Sequence, residues 1–290
     1  MRLRAVELQV PQAAEAAGFL ERVWGLLPAG VRGGVRYFKG TGDHPYILSM
    51  APSQAPAISA ITFAGPPQEI DDVHARVGRA NAKIESFTEL DAPGGGNGFV
   101  VWGPEAQTYR FVAETAIPEP IAHREKPVQL THAVCNSTDV EASERFAVEV
   151  LGFKVSDRTA AMTFARCNRA HHAVAYVRST FASLNHVAFE MPDADAVMRG
   201  IGRLREAGIE CVWGPGRHGP GNNVFGYFIA PFGGVIEYTA EIEQVGDDYR
   251  VGGPEDWKWP PGRIDHWGIS AKDTAKISVA ERQFRFASGG

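Results

Sequence analysis

The sequence predicts an α+β protein of two domains, each made of two βαβββ modules. Three observations carry this. Short apolar runs rich in Val, Ile, Phe and Tyr alternate with amphipathic stretches of helical period. The two halves of the 290-residue chain align with a shift of about 126 residues, and repetition of that kind decides an architecture before any single residue does. A proline-rich stretch, AIPEPIAHREKPV from Ala116 to Val128, separates the halves and reads as a linker.

Each element follows from its local pattern. In the first half AVELQV reads as a strand, and a helix containing Phe19 and Val23 follows it. GGVRYFKGTGDHPYILSM supplies further strands. AISAITFA opens the second module, whose helix carries Ile70, Val73 and Val77, and GFVVWG and TYRFVAE close it. In the second half QLTHAVCN is a strand. The next helix places Val140, Phe146 and Val150 near one face, and Gly152 stops it. MTFARC and HHAVAYV follow as strands. LNHVAFEM opens the last module. Asp193 is placed to cap a helix with Val197, Ile201 and Leu204 on one stripe, ended by Gly208. Strands ECVWG, NVFGYFIA and GGVIEYTAE complete it. The expected division is an N-terminal domain over 1–116, a linker over 117–128, a second domain over 129–245 and an extension over 246–290.

Composition narrows the function. Net charge is −5 with both signs interspersed, which gives no nucleic-acid footprint and no polybasic membrane patch. The chain has no apolar run of bilayer length, and its N-terminus lacks the continuous apolar segment of a secretory signal. Three cysteines, Cys135, Cys167 and Cys211, are odd in number and far apart. They read as free thiols, with a cytoplasmic location expected.

Three strands of the second half each carry an ionisable residue among apolar neighbours: His132 in LTHAV, His186 in LNHVAFE and Glu237 in GVIEYT. Strand side chains alternate faces, so Glu237 can face away from Ile236 and Tyr238. If the three strands share one curved sheet, the three polar groups can point into one concavity. Two imidazoles and a carboxylate suit a divalent metal with open positions, as in non-haem Fe(II) sites. The ion would offset the buried carboxylate charge. A lone strand histidine is more often a hydrogen-bonded core residue. Here the first half argues against a purely structural need, because its matching positions carry Val6 or Glu7, Ala60 and about Arg110.

A longer pattern lies nearby. Gly216-Arg217-His218 is followed by Tyr227, Pro231, Gly233 and Glu237, and upstream stands RCNRAHHAVAYV with His171 and His172. With LNHVAFE, these segments resemble the catalytic domain of type I extradiol ring-cleaving dioxygenases, in the vicinal oxygen chelate superfamily. One position departs: Gly226 stands where an apolar residue usually precedes the tyrosine. The resemblance covers residues 3 to 242 or so. It implies the vicinal oxygen chelate fold, with half-open barrels built from paired modules. It also implies His132, His186 and Glu237 as metal ligands, His172 as the acid–base histidine beside the oxygen site, and His218 and Tyr227 as substrate-binding groups. Fe(II) is the expected metal, with Mn(II) suited to similar ligands. The expected partners are a small catecholic aromatic and O2, in a homo-oligomer of the kind common in that family. His171 is expected on the opposite face of its strand, with a structural role. His266 is also expected to be structural, and Trp257, Trp259 and Trp267 to dock the extension. The alternatives within the superfamily are a glyoxalase-like metal-dependent lyase or isomerase and a small-molecule-sequestering protein. A third is an oxygenase of the hydroxyphenylpyruvate type, which normally carries a longer second domain.

Overall fold

The computed structural model describes residues 1–114 and 117–287. The domain boundary expected at 116 and the last three residues of the extension lie outside the described residues. The first half comprises β1 (Arg2–Val10), α1 (Ala13–Phe19), β2 (Leu27–Arg32), β3 (Val35–Lys39) and β4 (Leu48–Pro52). It continues with β5 (Ala57–Gly65), α2 (Pro67–Arg79), β6 (Ile84–Phe87), β7 (Gly98–Trp102) and β8 (Thr108–Ala113). The second half repeats the order with β9 (Gln129–Ser137), α3 (Val140–Arg145), β10 (Lys154–Arg158), β11 (Met162–Arg166) and β12 (Val174–Arg178). Then come β13 (Ser183–Glu190), α4 (Ala194–Glu206), β14 (Cys211–Arg217), β15 (Val224–Ile229) and β16 (Val235–Ala240). Each half is therefore two βαβββ modules, as the repeat predicts.

The sheets have matching orders. One runs β2-β3-β4-β1-β5-β8-β7-β6 and the other β10-β11-β12-β9-β13-β16-β15-β14. Within each, the opening strands of the two modules pair antiparallel at the centre, β1 with β5 and β9 with β13. Local chemistry supports the helices. Asp193 Oδ1 accepts from the Ala196 N–H at 2.7 Å and caps α4. Gly208, at φ +79°, takes the left-handed conformation just beyond the helix. Among the described residues, no helix is long and apolar enough to cross a membrane.

One apolar core runs through both halves. Trp24, which follows α1, is fully buried and stacks on Tyr238 of β16 at 3.7 Å between ring centroids. It meets Phe189 and Phe228 edge-on, and Tyr238 Oη donates to the Trp24 carbonyl at 2.5 Å. Tyr109 and Tyr176 join the halves again through a 2.8 Å hydroxyl contact. Trp24→Ala is therefore expected to lower stability by about 3–5 kcal/mol, the range for emptying a large aromatic site. Denaturant unfolding would measure it, and a loss under about 1 kcal/mol would mean that the two halves do not depend on this contact.

The extension crosses from one sheet to the other. Gly252 bridges to Asp157 of β10. A short helix, α5 (Thr274–Ala280), buries Ile277 and Ala280 against Val212, Trp213 and Tyr227. Finally β17 (Arg285–Phe286) pairs parallel with the start of β5. Trp257 and Trp259 pack against Gly219, where an added Cβ would lie within 3.0 Å of both rings. His266 sits edge-on to Trp259 at 4.9 Å, while Trp267 stays exposed.

Candidate active site

The register of the second sheet builds the site. β13 lies between β9 and β16, and Ala188 pairs with His132 on one side and Glu237 on the other. His186 stands two residues before Ala188, where strand alternation returns a side chain to the same face. Alanine at 188 adds only a methyl between the three. The result is a cluster of His132 Nε2, His186 Nε2 and a Glu237 carboxylate oxygen, with all ligand atoms within 4.8 Å of one another. Both imidazole nitrogens lie 3.2 Å from Glu237 Oε2. The two rings are 5.5 Å apart and inclined at 82°.

This donor set fits a divalent metal. Two nitrogen lone pairs and a carboxylate converge from three separate strands, as a facial 2-His-1-carboxylate site requires. Second contacts hold the ligands. His186 Nδ1 lies 2.7 Å from Asn185 Oδ1, which leaves Nε2 to face the cluster. Asn223 Nδ2 donates to Thr239 at 2.7 Å and to Glu237 Oε1 at 3.4 Å. Asn185 and Asn223 escape a reading of the sequence because asparagine is common in turns and carries no periodic signal.

The cluster opens into a cavity of about 220 Å³, whose walls include His172, His218, Trp213, Tyr227, Phe164 and Trp259. Tyr227 Oη lies 3.0 Å from His218 Nε2 and 3.4 Å from His186 Nε2. His218 stacks on Phe225 at 3.9 Å, and Trp213 stacks on Tyr227 at 4.9 Å. His172 lies with its ring 4.2 Å from that of His132. The structure thus brings five candidate residues, His132, His172, His186, His218 and Tyr227, around one cavity, with Glu237 buried directly behind His132 and His186. The extension supplies part of the wall through Trp259, Ile264, Lys272 and Ile277.

Two expectations need correction. His171 does not face away from His172. Residues 171 and 172 precede β12 and lie outside any strand, so two-residue alternation does not govern them. Both rings are buried, and their Nδ1 atoms are 3.0 Å apart. The second correction concerns the first half. Thr62 occupies the place of Ala188 and pairs with Ala5 and Arg110. Ala5, rather than Val6 or Glu7, therefore matches His132, because β9 and β16 are offset from β1 and β8 by one residue more than β13 is from β5. Ala60 and Arg110 match His186 and Glu237. Glu7 still enters the first concavity, where it accepts from Thr62 at 2.8 Å, from Tyr46 at 3.2 Å and from Arg110. A guanidinium at the position of a ligand carboxylate repels a cation. The chain is expected to bind a single divalent ion, and elemental analysis showing a second tightly held ion would contradict this.

Burial sets the electrostatics. Desolvation lowers the pKa of His172 well below its ordinary value, and positive charge on neighbouring histidines would lower it further. His218 falls to about 3 for the same leading reason. His186 is also lowered by burial, in spite of Glu237 beside it. Burial by itself would raise Glu237, but His132 and His186 outweigh it and hold the carboxylate ionised. Tyr227 is pushed well up by burial and then by Glu237, so its hydroxyl stays protonated.

These shifts predict acid sensitivity in metal-free protein. The three histidines remain neutral when folded but take protons when unfolded, so their contribution is complete above about pH 6.5 and is lost as pH falls below it. Glu237 acts in the same direction lower down: its contribution is present above the ordinary carboxylate range and lost as pH falls through it. Denaturant midpoints measured in chelator should hold level from about pH 8 to about pH 6.5 and fall from there down to about pH 5. A flat profile would show that the histidines are not held neutral.

Comparison with known proteins agrees with this geometry. Residues 129–238 match the family described as the Glyoxalase/Bleomycin resistance protein/Dioxygenase superfamily. Metapyrocatechase 2 of Cupriavidus necator is 30% identical over 174 residues, covering 59% of this chain and 47% of that protein. The chain spans about half the length of the curated relatives it matches. The Mn(II)-bound glyoxalase from Novosphingobium aromaticivorans is 35% identical, with a TM-score of 0.85 over 95% of this chain and 93% of that one. Homoprotocatechuate 2,3-dioxygenase from Arthrobacter globiformis is 22% identical and shares the fold, with a TM-score of 0.84 over 98% of this chain and 91% of that one. The chain belongs to the Glyoxalase/Bleomycin resistance protein/Dioxygenase superfamily, whose signature region coincides with the modules that carry the His-His-Glu cluster.

Proposed function

We propose that this protein is an extradiol dioxygenase, opening the ring of a catecholic aromatic with O2 to a semialdehyde-type product that retains both oxygen atoms. The observation that carries this reading is the joint placement of the His-His-Glu cluster and of His172, His218 and Tyr227 around one cavity. Similarity to metapyrocatechase 2 supports it. In the proposed division of the chain, 1–116 is a non-catalytic domain, 117–128 a linker, 129–245 the catalytic domain and 246–290 an extension that helps to wall the site. The working form we propose is a homo-oligomer in the cytoplasm.

His132, His186 and Glu237 would hold Fe(II). The metal, when bound, supplies Lewis acidity that eases deprotonation of a vicinal diol, and open positions for diol and O2. Tyr227 and His218 lie on one side of the cluster. Protonated Tyr227 donates its one O–H to a substrate oxygen, and neutral His218 then donates from Nε2 to Tyr227 Oη across their 3.0 Å contact. His172 occupies another wall, where an imidazole can accept a proton and return it. Trp213, Phe164 and Trp259 present apolar faces to a flat ring and limit the water around it.

The test is Fe(II) reconstitution without oxygen, followed by a catechol panel read by oxygen uptake and by yellow product. No uptake with any catechol would reject ring cleavage. A second reading, a glyoxalase-like lyase or isomerase using Mn(II), draws on the 35% identical Mn(II)-bound glyoxalase. It predicts turnover without oxygen consumption, so the same electrode separates the two.

A further inference from the structure

His172 is the end of a buried hydrogen-bonded chain that its proposed role in the reaction does not by itself explain. Asp157 of β10, His171 and His172 are 0%, 0% and 3% exposed. Asp157 Oδ1 accepts from the Gly252 N–H at 2.7 Å. Its Oδ2 accepts from Tyr249 Oη at 3.2 Å and lies 2.8 Å from His171 Nε2. On the other side of the ring, His171 Nδ1 lies 3.0 Å from His172 Nδ1. Gly221 closes over this last contact at φ +80°. A Cβ there would stand 3.1 Å from His172 Cε1 and 3.3 Å from His171 Nδ1.

The direction of these bonds is determined by one end. A carboxylate that already accepts two bonds can only accept the third, so His171 must donate from Nε2. A neutral imidazole with its proton on Nε2 has a lone pair on Nδ1. His172 must then donate from its own Nδ1, and its Nε2 is left with a lone pair. That nitrogen has no hydrogen-bond partner among the described residues. We propose that Asp157 and His171 are positioning residues that fix His172 in the Nδ1–H tautomer, presenting Nε2 to the cavity as a proton acceptor. The functional part of this assignment rests on the reading of His172 as the acid–base group; the tautomer does not. The extension acquires a second role, since Tyr249 and Gly252 hold the carboxylate at the head of the chain.

Asp157→Asn turns the chain around. An amide NH2 in place of Oδ2 donates to His171 Nε2, which moves the His171 proton to Nδ1 and the His172 proton to Nε2. The experiment is two-bond 1H–15N spectroscopy on the full chain loaded with Zn(II), with 15N-labelled histidine and the His172 signals identified by their loss in His172→Gln. Wild-type protein should show His172 protonated at Nδ1, and Asp157→Asn should show it protonated at Nε2. With Fe(II) and a catechol, Asp157→Asn should lower kcat by roughly 10²–10⁴-fold with KM little changed. A wild-type spectrum with the proton on Nε2 overturns the proposal, whether or not the variant folds. So does an Asp157→Asn spectrum identical to wild type. If the tautomers are as stated but no catechol is turned over, the ring-cleavage reading fails and the positioning of His172 stands.

Discussion

His132→Ala, His186→Ala and Glu237→Ala should each lose stoichiometric metal and, with it, all turnover. The three side chains share no strand and approach one another only through the pairing of Ala188 with His132 and Glu237. Each supplies one ligand atom to the cluster, so no neighbour can replace it. The metal-free variants should differ in stability. Removing Glu237 leaves imidazoles that are comfortable as neutral groups. Removing His132 leaves a fully buried carboxylate with one of its two close imidazoles gone. Removing His186 leaves the same carboxylate short in the same way. A buried acceptor left without a partner costs about 1–3 kcal/mol, more for a charged one, so metal-free His132→Ala and His186→Ala should both be less stable than Glu237→Ala. Elemental analysis decides the first point and denaturant unfolding the second. Iron retained at wild-type stoichiometry by all three variants would refute the ligand set.

What could be read from sequence, and what could not, follows the range of each physical signal. Module order is written in short-range periodicity and in the repeat, and both survive into the two sheets. His132, His186 and Glu237 are conspicuous because a charge among apolar strand residues is costly and needs a reason. His171 shows the limit. Its neighbours HAVAYV look like strand, but the strand begins at Val174, and the two histidines enter it through an irregular segment where side chains need not alternate. Ala5 shows another. A single extra residue of offset between β1 and β9 is invisible to an alignment at a fixed shift, yet it moves the match to His132 by one position. Asp157 gives no warning at all, since an aspartate in VSDR reads as a solvated strand end. Only Tyr249 and Gly252, more than ninety residues away in sequence, reveal it as buried. The same distance hides the contribution of Lys272, Trp259 and Ile264 to the cavity wall, because the extension has no counterpart in the repeat.

His172→Gln should retain metal and substrate affinity while losing most turnover. His172 lies against His132, with ring centroids 4.2 Å apart, but its Nδ1 is engaged by His171 and it is no part of the three-ligand cluster. Glutamine keeps polarity and comparable bulk, so the wall of the cavity survives. Its amide has no basic nitrogen to accept and return a proton, which the neutral imidazole of His172 has. General acid–base assistance is worth about 10²–10⁴-fold, so the defect should fall on kcat, with KM and metal content close to wild type. Tyr46, which holds the matching place in the first half, is hydrogen-bonded to Glu7. The position therefore accepts a polar side chain without serving a metal, and a glutamine there need not disturb the fold. Anaerobic catechol titration would report binding, and steady-state oxygen uptake would report turnover. Wild-type kcat in His172→Gln would remove His172 from the reaction. Loss of metal together with activity would instead make it a ligand in solution and require a different coordination set.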